Sequence, residues 1–233
     1  MSNANTIFCA IDTPDVARAQ KLAEHLQGHV YGFKIGLEFF MANGEAGYHA
    51  VAKAGVPVFL DVKLHDIPNT VAGAVTSLLP LKPAFMTIHS SGGTAMMRAA
   101  ADAAAKAGAH RPKLLGVTVL TSLDGSDLAA VGQDVDTGRQ VLRLAQLAKD
   151  SGLDGVICSP EEVKNLRAAL GPDFILMVPG IRPSWTVAGD QKRVMTPRQA
   201  VEAGATYLVI GRPITGAENP TDAAKRIAEE LAA

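Results

Sequence analysis

The chain has 233 residues, of which 48% are hydrophobic and 19% charged, and its formal net charge is −1. That length and apolar content support a large core without disulfide or metal staples. The near-neutral balance excludes a general attraction to nucleic acid or to an anionic membrane surface, so an anionic ligand must be held by local groups.

Residues 1–6 are polar and lack the basic start and apolar run of a secretion signal. No stretch is apolar for long enough to span a bilayer, and a cytoplasmic location is expected. Residues 6–12 predict a first strand. Pro14 opens a helix running to about Leu26, with Asp12 or Thr13 near its cap. Residues 30–35 predict strand two, 38–54 a helix, 57–63 strand three, and 68–79 a helix stopped by Pro80. Residues 84–89 predict strand four. The alanine-rich run 95–107 predicts a helix, because alanine is the best helix former and small residues let a helix lie close to a sheet.

Residues 113–120 predict strand five, and the longer connection 121–134 holds one short helix. A helix over 139–151 and a short strand over 155–158 follow. Ser159-Pro160-Glu161-Glu162 is a strong helix start, and that helix ends near Leu170 and Gly171. Residues 174–178 predict strand seven, 197–203 a short helix, 207–210 strand eight, and 221–231 the last helix. Cys9 and Cys158 fall in apolar runs far apart and read as reduced core residues.

Strand and helix signals alternate with no linker or break in composition, and the short apolar strands suit burial on both faces. The reading is an α/β fold: a single eight-stranded parallel (β/α)8 TIM barrel, with residues 1–233 forming one catalytic domain. A doubly wound open sheet is the alternative, but no Gly-x-Gly-x-x-Gly follows strand one to support it.

In such a barrel, chemistry belongs at the C-terminal ends of the strands. Asp12, Lys34, Asp61, Lys63, His89, Ser90, Thr121, Ser122, Arg182, Gly211 and Arg212 all fall there. The densest stretch is residues 59–70. Alternation along a strand puts Asp61 and Lys63 on one face with Phe59, and Val58, Leu60 and Val62 on the other. A carboxylate and an ammonium on a buried strand are costly unless paired. A structural ion pair is the plain reading, and the nearby Lys34 and Asp66 shift it toward an active site.

Lys34, Asp61, Lys63 and Asp66 then form an alternating array of two cations and two anions, which holds Lys63 protonated as a proton donor. Gly32 and Gly36 flank Lys34 and leave room for its side chain and for a ligand. Gly211-Arg212 has the place of a barrel phosphate site. The long stretch 181–195 reads as a lid or as a plain surface loop, with Arg182 and Gln191 as grips if it is a lid. Trp185 either packs that loop shut or lies on the surface. His65 and His89 read as hydrogen-bonded structural residues.

Asp61-x-Lys63-x-x-Asp66-Ile67-Pro68-Asn69-Thr70, with Phe33-Lys34-Ile35-Gly36 on strand two, resembles the signature of the orotidine 5′-phosphate decarboxylase family, bacterial type. Ala10-Ile11-Asp12, Val178-Pro179-Gly180-Ile181-Arg182, Gln191 and Gly211-Arg212-Pro213-Ile214 match that family in order and place, so the resemblance covers nearly the whole chain.

The resemblance implies decarboxylation of orotidine 5′-phosphate to uridine 5′-phosphate and carbon dioxide, the last step of de novo pyrimidine synthesis, with no cofactor and no metal. It implies Lys63 as proton donor to C6, Asp61 facing the substrate carboxylate, and Lys34 and Asp66 completing the charge network. Asp12 and Lys34 are implied to hold ribose hydroxyls and Thr121 to lie near the base. Arg182, Gln191, Gly211 and Arg212 are implied to bind phosphate. Asp66, Ile67 and Thr70 are implied to reach into the neighbouring subunit's site, and hence a homodimer.

Two rivals differ in chemistry. A magnesium-dependent sugar-phosphate decarboxylase or synthase shares Asp-x-Lys-x-x-Asp but carries a glutamate where this chain has Lys34, and a lysine there repels the metal. A non-catalytic nucleotide sensor keeps the phosphate grip but has no need of Lys63 beside a carboxylate.

Overall fold

The computed structural model describes residues 6–186 and 195–232. Among them the strands β1 (Ile7–Ile11), β2 (Gly32–Gly36), β3 (Val58–Leu64), β4 (Phe85–His89), β5 (Lys113–Val117), β6 (Gly155–Ile157), β7 (Ile175–Val178) and β8 (Tyr207–Ile210) form a closed barrel in chain order. Every neighbouring pair is parallel, and β1 closes on β8 through Ile7 opposite Leu208 and Cys9 opposite Ile210. The expected (β/α)8 barrel is the fold.

The helices are α1 (Val16–Leu26), α2 (Leu37–Ala52), α3 (Pro68–Leu78), α4 (Gly93–Ala105), α5 (Gly125–Ala130), α6 (Thr137–Asp150), α7 (Val163–Leu170), α8 (Pro197–Ala203), α9 (Arg212–Thr215) and α10 (Pro220–Ala232). None is long and apolar enough to cross a membrane. Most begin where their starting residues predict. Pro68 and Pro197 each open a helix, where a missing N–H costs nothing. Ser159 and Glu162 form the reciprocal cap that their spacing foretells, although the first turn there is a 3-10 turn.

The cap of α1 is Asp15, which accepts from the Arg18 N–H at 3.1 Å. It is neither Asp12 nor Thr13, because the Asp12 carboxylate is turned to Lys34 and the Thr13 hydroxyl accepts from the Asp15 N–H. Gly44, at φ 55°, interrupts α2, and the one-turn α9 follows Gly211, where the sequence pattern predicts no helix.

Apolar residues fill two separate spaces. The larger lies between strands and helices and takes Val58, Leu60 and Val62 from β3, as alternation predicts. The smaller is the barrel interior, built from Phe8, Ala10, Phe59, Phe85, Leu115, Met177 and Val209. Phe8 meets Tyr31, Phe85 and Phe59 edge-on at 5.2, 5.3 and 5.8 Å between centroids. Full burial of such a ring stabilises the fold by roughly 2–3 kcal/mol. This aromatic plug closes the lower interior, so that a ligand can enter only from the other end.

Gly32 serves that plug rather than a ligand. A Cβ there would collide with the Pro57 carbonyl and the Phe8 ring. Cys9 and Cys158 are buried and unbridged, and burial pushes both thiols up, Cys9 to about 12.

Candidate active site

The upper barrel interior holds a pocket of about 180 Å³. Its wall is largely apolar, with Phe59, Val117, Ile157, Pro179 and Val209 among its members, and Lys34, Asp61, Lys63 and Thr121 supply the polar groups. Three of the expected catalytic residues thus meet at one cavity, with one expected base contact.

Asp61 and Lys63 do come together, but not by simple alternation. The β3–β4 ladder pairs Leu60 with Met86 and then Leu64 with Ile88, so three residues of β3 stand opposite Thr87 alone. Such a bulge bends the strand and re-aims its side chains. Lys63 adopts the left-handed conformation, φ 49°, which costs a non-glycine residue roughly 1–2 kcal/mol. The ammonium curls back onto Asp61, with Nζ 2.9 Å from both carboxylate oxygens. Thr87 holds the arrangement: its hydroxyl accepts the Lys63 backbone N–H at 2.9 Å and donates to Asp61 Oδ1 at 3.0 Å.

Lys34 lies on the other side of Asp61. Its Nζ is 3.0 Å from Asp12 Oδ1 and 3.6 Å from Asp61 Oδ2. Gly36 leaves the space for this, since a Cβ there would lie 2.9 Å from Lys34 Nζ and 3.2 Å from Asp12 Oδ1. Within one chain the alternating array therefore runs Asp12, Lys34, Asp61, Lys63. Burial pushes the Asp61 carboxyl up, but the two lysines, with the hydrogen bonds from Lys63 and Thr87, hold it below the usual carboxylate range. It stays ionised at neutral pH.

Asp66, the expected fourth member, stands apart from the array. Residues 65–70 are all exposed, with Ile67 at 66%, and the Asp66 carboxylate accepts from its neighbour's N–H, that of Ile67, at 2.6 Å. The strand ends before this turn, and Asp66, Ile67 and Thr70 do not line the pocket.

The His65 and His89 rings lie 5.3 Å apart, tilted by 32°. Burial, then the neighbouring His65 and Lys63, lower the His89 pKa against the opposing pull of Asp61, so this imidazole is neutral at neutral pH.

Gly211 ends β8 beside Ala10 and Asp12 and carries the chain into α9, whose first residue is Arg212. Arg182 follows β7. Its N–H donates to the Met195 carbonyl at 3.0 Å, and Ile181 pairs with Met195, which ties together the two ends of the 181–195 stretch. Gln191 lies outside the described residues. Trp185 is partly buried against the main core, with the Arg226 guanidinium of α10 4.0 Å from its ring centre.

Thr87 is the site residue that the sequence reading missed. Its signal was parity: Phe85 faces the barrel interior and Met86 and Ile88 face the helices, so a polar residue at 87 falls one step above the plug.

Charged side chains gathered over an apolar pocket, at the C-terminal ends of a closed parallel barrel, define the site of a barrel enzyme. The family model described as orotidine 5′-phosphate decarboxylase / HUMPS family matches residues 5–227. The chain is 56% identical over 231 residues to the orotidine 5′-phosphate decarboxylase of Paramagnetospirillum magneticum, covering 97% of this chain and 98% of that protein. It is 53% identical over 232 residues to the corresponding protein of Rhodospirillum rubrum, covering 97% and 94%. A solved orotidine 5′-phosphate decarboxylase from Lactobacillus acidophilus superimposes with a TM-score of 0.86 at 38% identity, covering 98% of this chain and 99% of that one. The chain belongs to the orotidine 5′-phosphate decarboxylase / HUMPS family.

Proposed function

We propose that the chain converts orotidine 5′-phosphate to uridine 5′-phosphate and carbon dioxide in pyrimidine synthesis, without metal or cofactor, and that Lys63 protonates C6. The observation that carries this reading is the Lys63 ammonium held between both oxygens of a buried, ionised Asp61 at the edge of an apolar pocket.

In the reaction, the electron pair of the C6–carboxylate bond stays on C6 as carbon dioxide leaves. A new C6–H bond then takes a proton from Lys63 Nζ, which water restores. The resulting carbanion has no conjugated sink, so a fixed ammonium beside C6 stabilises it as it forms. Asp61 faces the substrate carboxylate, and their repulsion raises the ground state relative to the transition state. The apolar wall takes the pyrimidine, with Thr121 near its polar edge.

Asp12 and Lys34 hold ribose hydroxyls. Arg182, Gln191, Gly211 and Arg212 bind the phosphate, and binding energy spent there helps to assemble the charged site. The exposed apolar Ile67 beside Asp66 and Thr70 supports a homodimer in which these three residues enter the partner's site. We also assign the whole of residues 1–233 to one catalytic domain and a cytoplasmic location.

The magnesium-dependent branch of this chemistry is disfavoured by charge. Lys34 Nζ sits between the Asp12 and Asp61 carboxylates, where a divalent cation would otherwise be drawn.

The direct test follows the ultraviolet absorbance of orotidine 5′-phosphate with the purified protein and a strong chelator present. Turnover should persist at the chelator-free rate. Loss of turnover on chelation, with recovery on adding magnesium, would overturn the metal-free reading. A second test addresses the ribose grip. Gly36→Ala should push Lys34 from Asp12 and lower kcat/KM by roughly ten- to hundredfold, and steady-state rates equal to wild type would show that the pair needs no such space.

A further inference from the structure

We propose that Thr87 is a positioning residue for the decarboxylation: its single hydroxyl sets both the orientation of the Asp61 carboxylate and the backbone turn that aims Lys63. The inference rests on the roles proposed above for Lys63 and Asp61, and goes beyond them in naming what holds those two groups in register.

The hydroxyl's polarity is dictated by its neighbours. An ionised carboxylate only accepts, so the Thr87 proton points to Asp61 Oδ1, and the oxygen's lone pairs face the Lys63 N–H. Both bonds are needed where they are. The bulge leaves three β3 residues opposite one on β4, so the part-buried Lys63 N–H has no regular ladder partner there, and a backbone N–H left unpaired away from water is costly. The side chain across the strand replaces that partner. Only surrounding structure keeps a lysine at φ 49°, and this bond is a part of that structure.

The second bond acts on rotation of the carboxylate. Asp61 Oδ2 faces Lys34 at 3.6 Å and Lys63 at 2.9 Å. With Oδ1 tethered to Thr87, the carboxylate cannot swing toward Lys34 and release Lys63. Thr87 is fully buried and does not contribute to the pocket wall. It therefore acts through Asp61 and Lys63 and not on the substrate itself. β-Branching favours threonine on a strand, but valine shares that shape and size, so packing alone does not call for the hydroxyl.

The test is a series at position 87 measured with orotidine 5′-phosphate, beside wild type and Lys63→Ala. Thr87→Val keeps the volume and removes both bonds. Its kcat should fall about ten- to hundredfold, the loss expected for hydrogen bonds to a charged group, with KM changed by less than about threefold. Thr87→Ser should recover most of that loss. The acid limb of the kcat/KM profile should move to higher pH in Thr87→Val and return in Thr87→Ser, because the hydroxyl favours the ionised form of Asp61.

Should Thr87→Val fail to fold, Thr87→Ser against Thr87→Ala isolates the hydroxyl: a tenfold or greater gap in kcat supports the proposal, and equal values overturn it. Wild-type kcat in Thr87→Val, or equal impairment in the serine and valine variants, also overturns it. Retained turnover in Lys63→Ala would instead overturn the reading on which the inference rests. An inactive Lys63→Ala beside an unimpaired Thr87→Val defeats the inference alone.

Discussion

Lys63→Ala is expected to lower kcat on orotidine 5′-phosphate by roughly 10⁴-fold or more, since it removes at once the proton donor and the cation beside the developing carbanion. Binding of uridine 5′-phosphate should change far less, because the phosphate and ribose contacts proposed above do not involve Lys63. The variant should remain folded. Asp61 keeps the Thr87 hydrogen bond and the Lys34 cation, so no buried carboxylate is stranded. Circular dichroism and product binding by calorimetry check the fold and the site, and single-turnover absorbance checks the chemistry. Activity within tenfold of wild type would mean that another group delivers the proton, and the proposed mechanism would be abandoned.

Mixing inactive Lys63→Ala and Asp66→Ala subunits should restore activity. In one chain Asp66 lies on the exposed turn of residues 65–70 and bonds only to the Ile67 N–H among the contacts described. If Asp66 completes the partner's site, each heterodimer of a two-fold dimer carries one site with both defects and one site with neither. Random exchange then repairs about a quarter of all sites. The measurement is activity against time after the two variants are combined under conditions that exchange subunits, with exchange followed independently by mass spectrometry. Complete exchange without recovery would show that Asp66 acts in its own subunit or not at all. Ile67 bears on the same point, because a side chain left 66% exposed in the single chain gains from burial against a second copy.

The residues that make the barrel were readable because each strand and helix declares itself locally. Alternating short apolar runs and amphipathic stretches require only the period of their own element. Lys34, Asp61 and Lys63 could be picked out for a related reason: charge is expensive on strands otherwise buried on both faces, whereas the exposed Asp12 stands out only by its place at the end of strand one. Gly36 leaves space for Lys34, as its place beside that residue suggests, whereas Gly32, in the same relation to Lys34 along the strand, accommodates the Phe8 ring. The difference between them is which layer of the barrel each occupies, and a strand's own sequence does not encode its stagger against its neighbours.

Residue order alone determined the fold class, the strand ends at which the charges gather, and the presence of Asp61 and Lys63 on one strand as a candidate pair. Tertiary structure decided how that pair is made. The three-against-one bulge and the left-handed Lys63 depend on the register of β3 with β4, and the Thr87 hydroxyl enters the site only through that register. It also decided which carboxylate completes the array within one chain. Asp12 reaches Lys34 because β1 lies beside β2, with Ala10 opposite Lys34, while Asp66, close in sequence to Lys63, is carried off by the turn into α3. Periodicity reports geometry within an element, but a charge network is set by distances between elements, and those exist only once the barrel has closed.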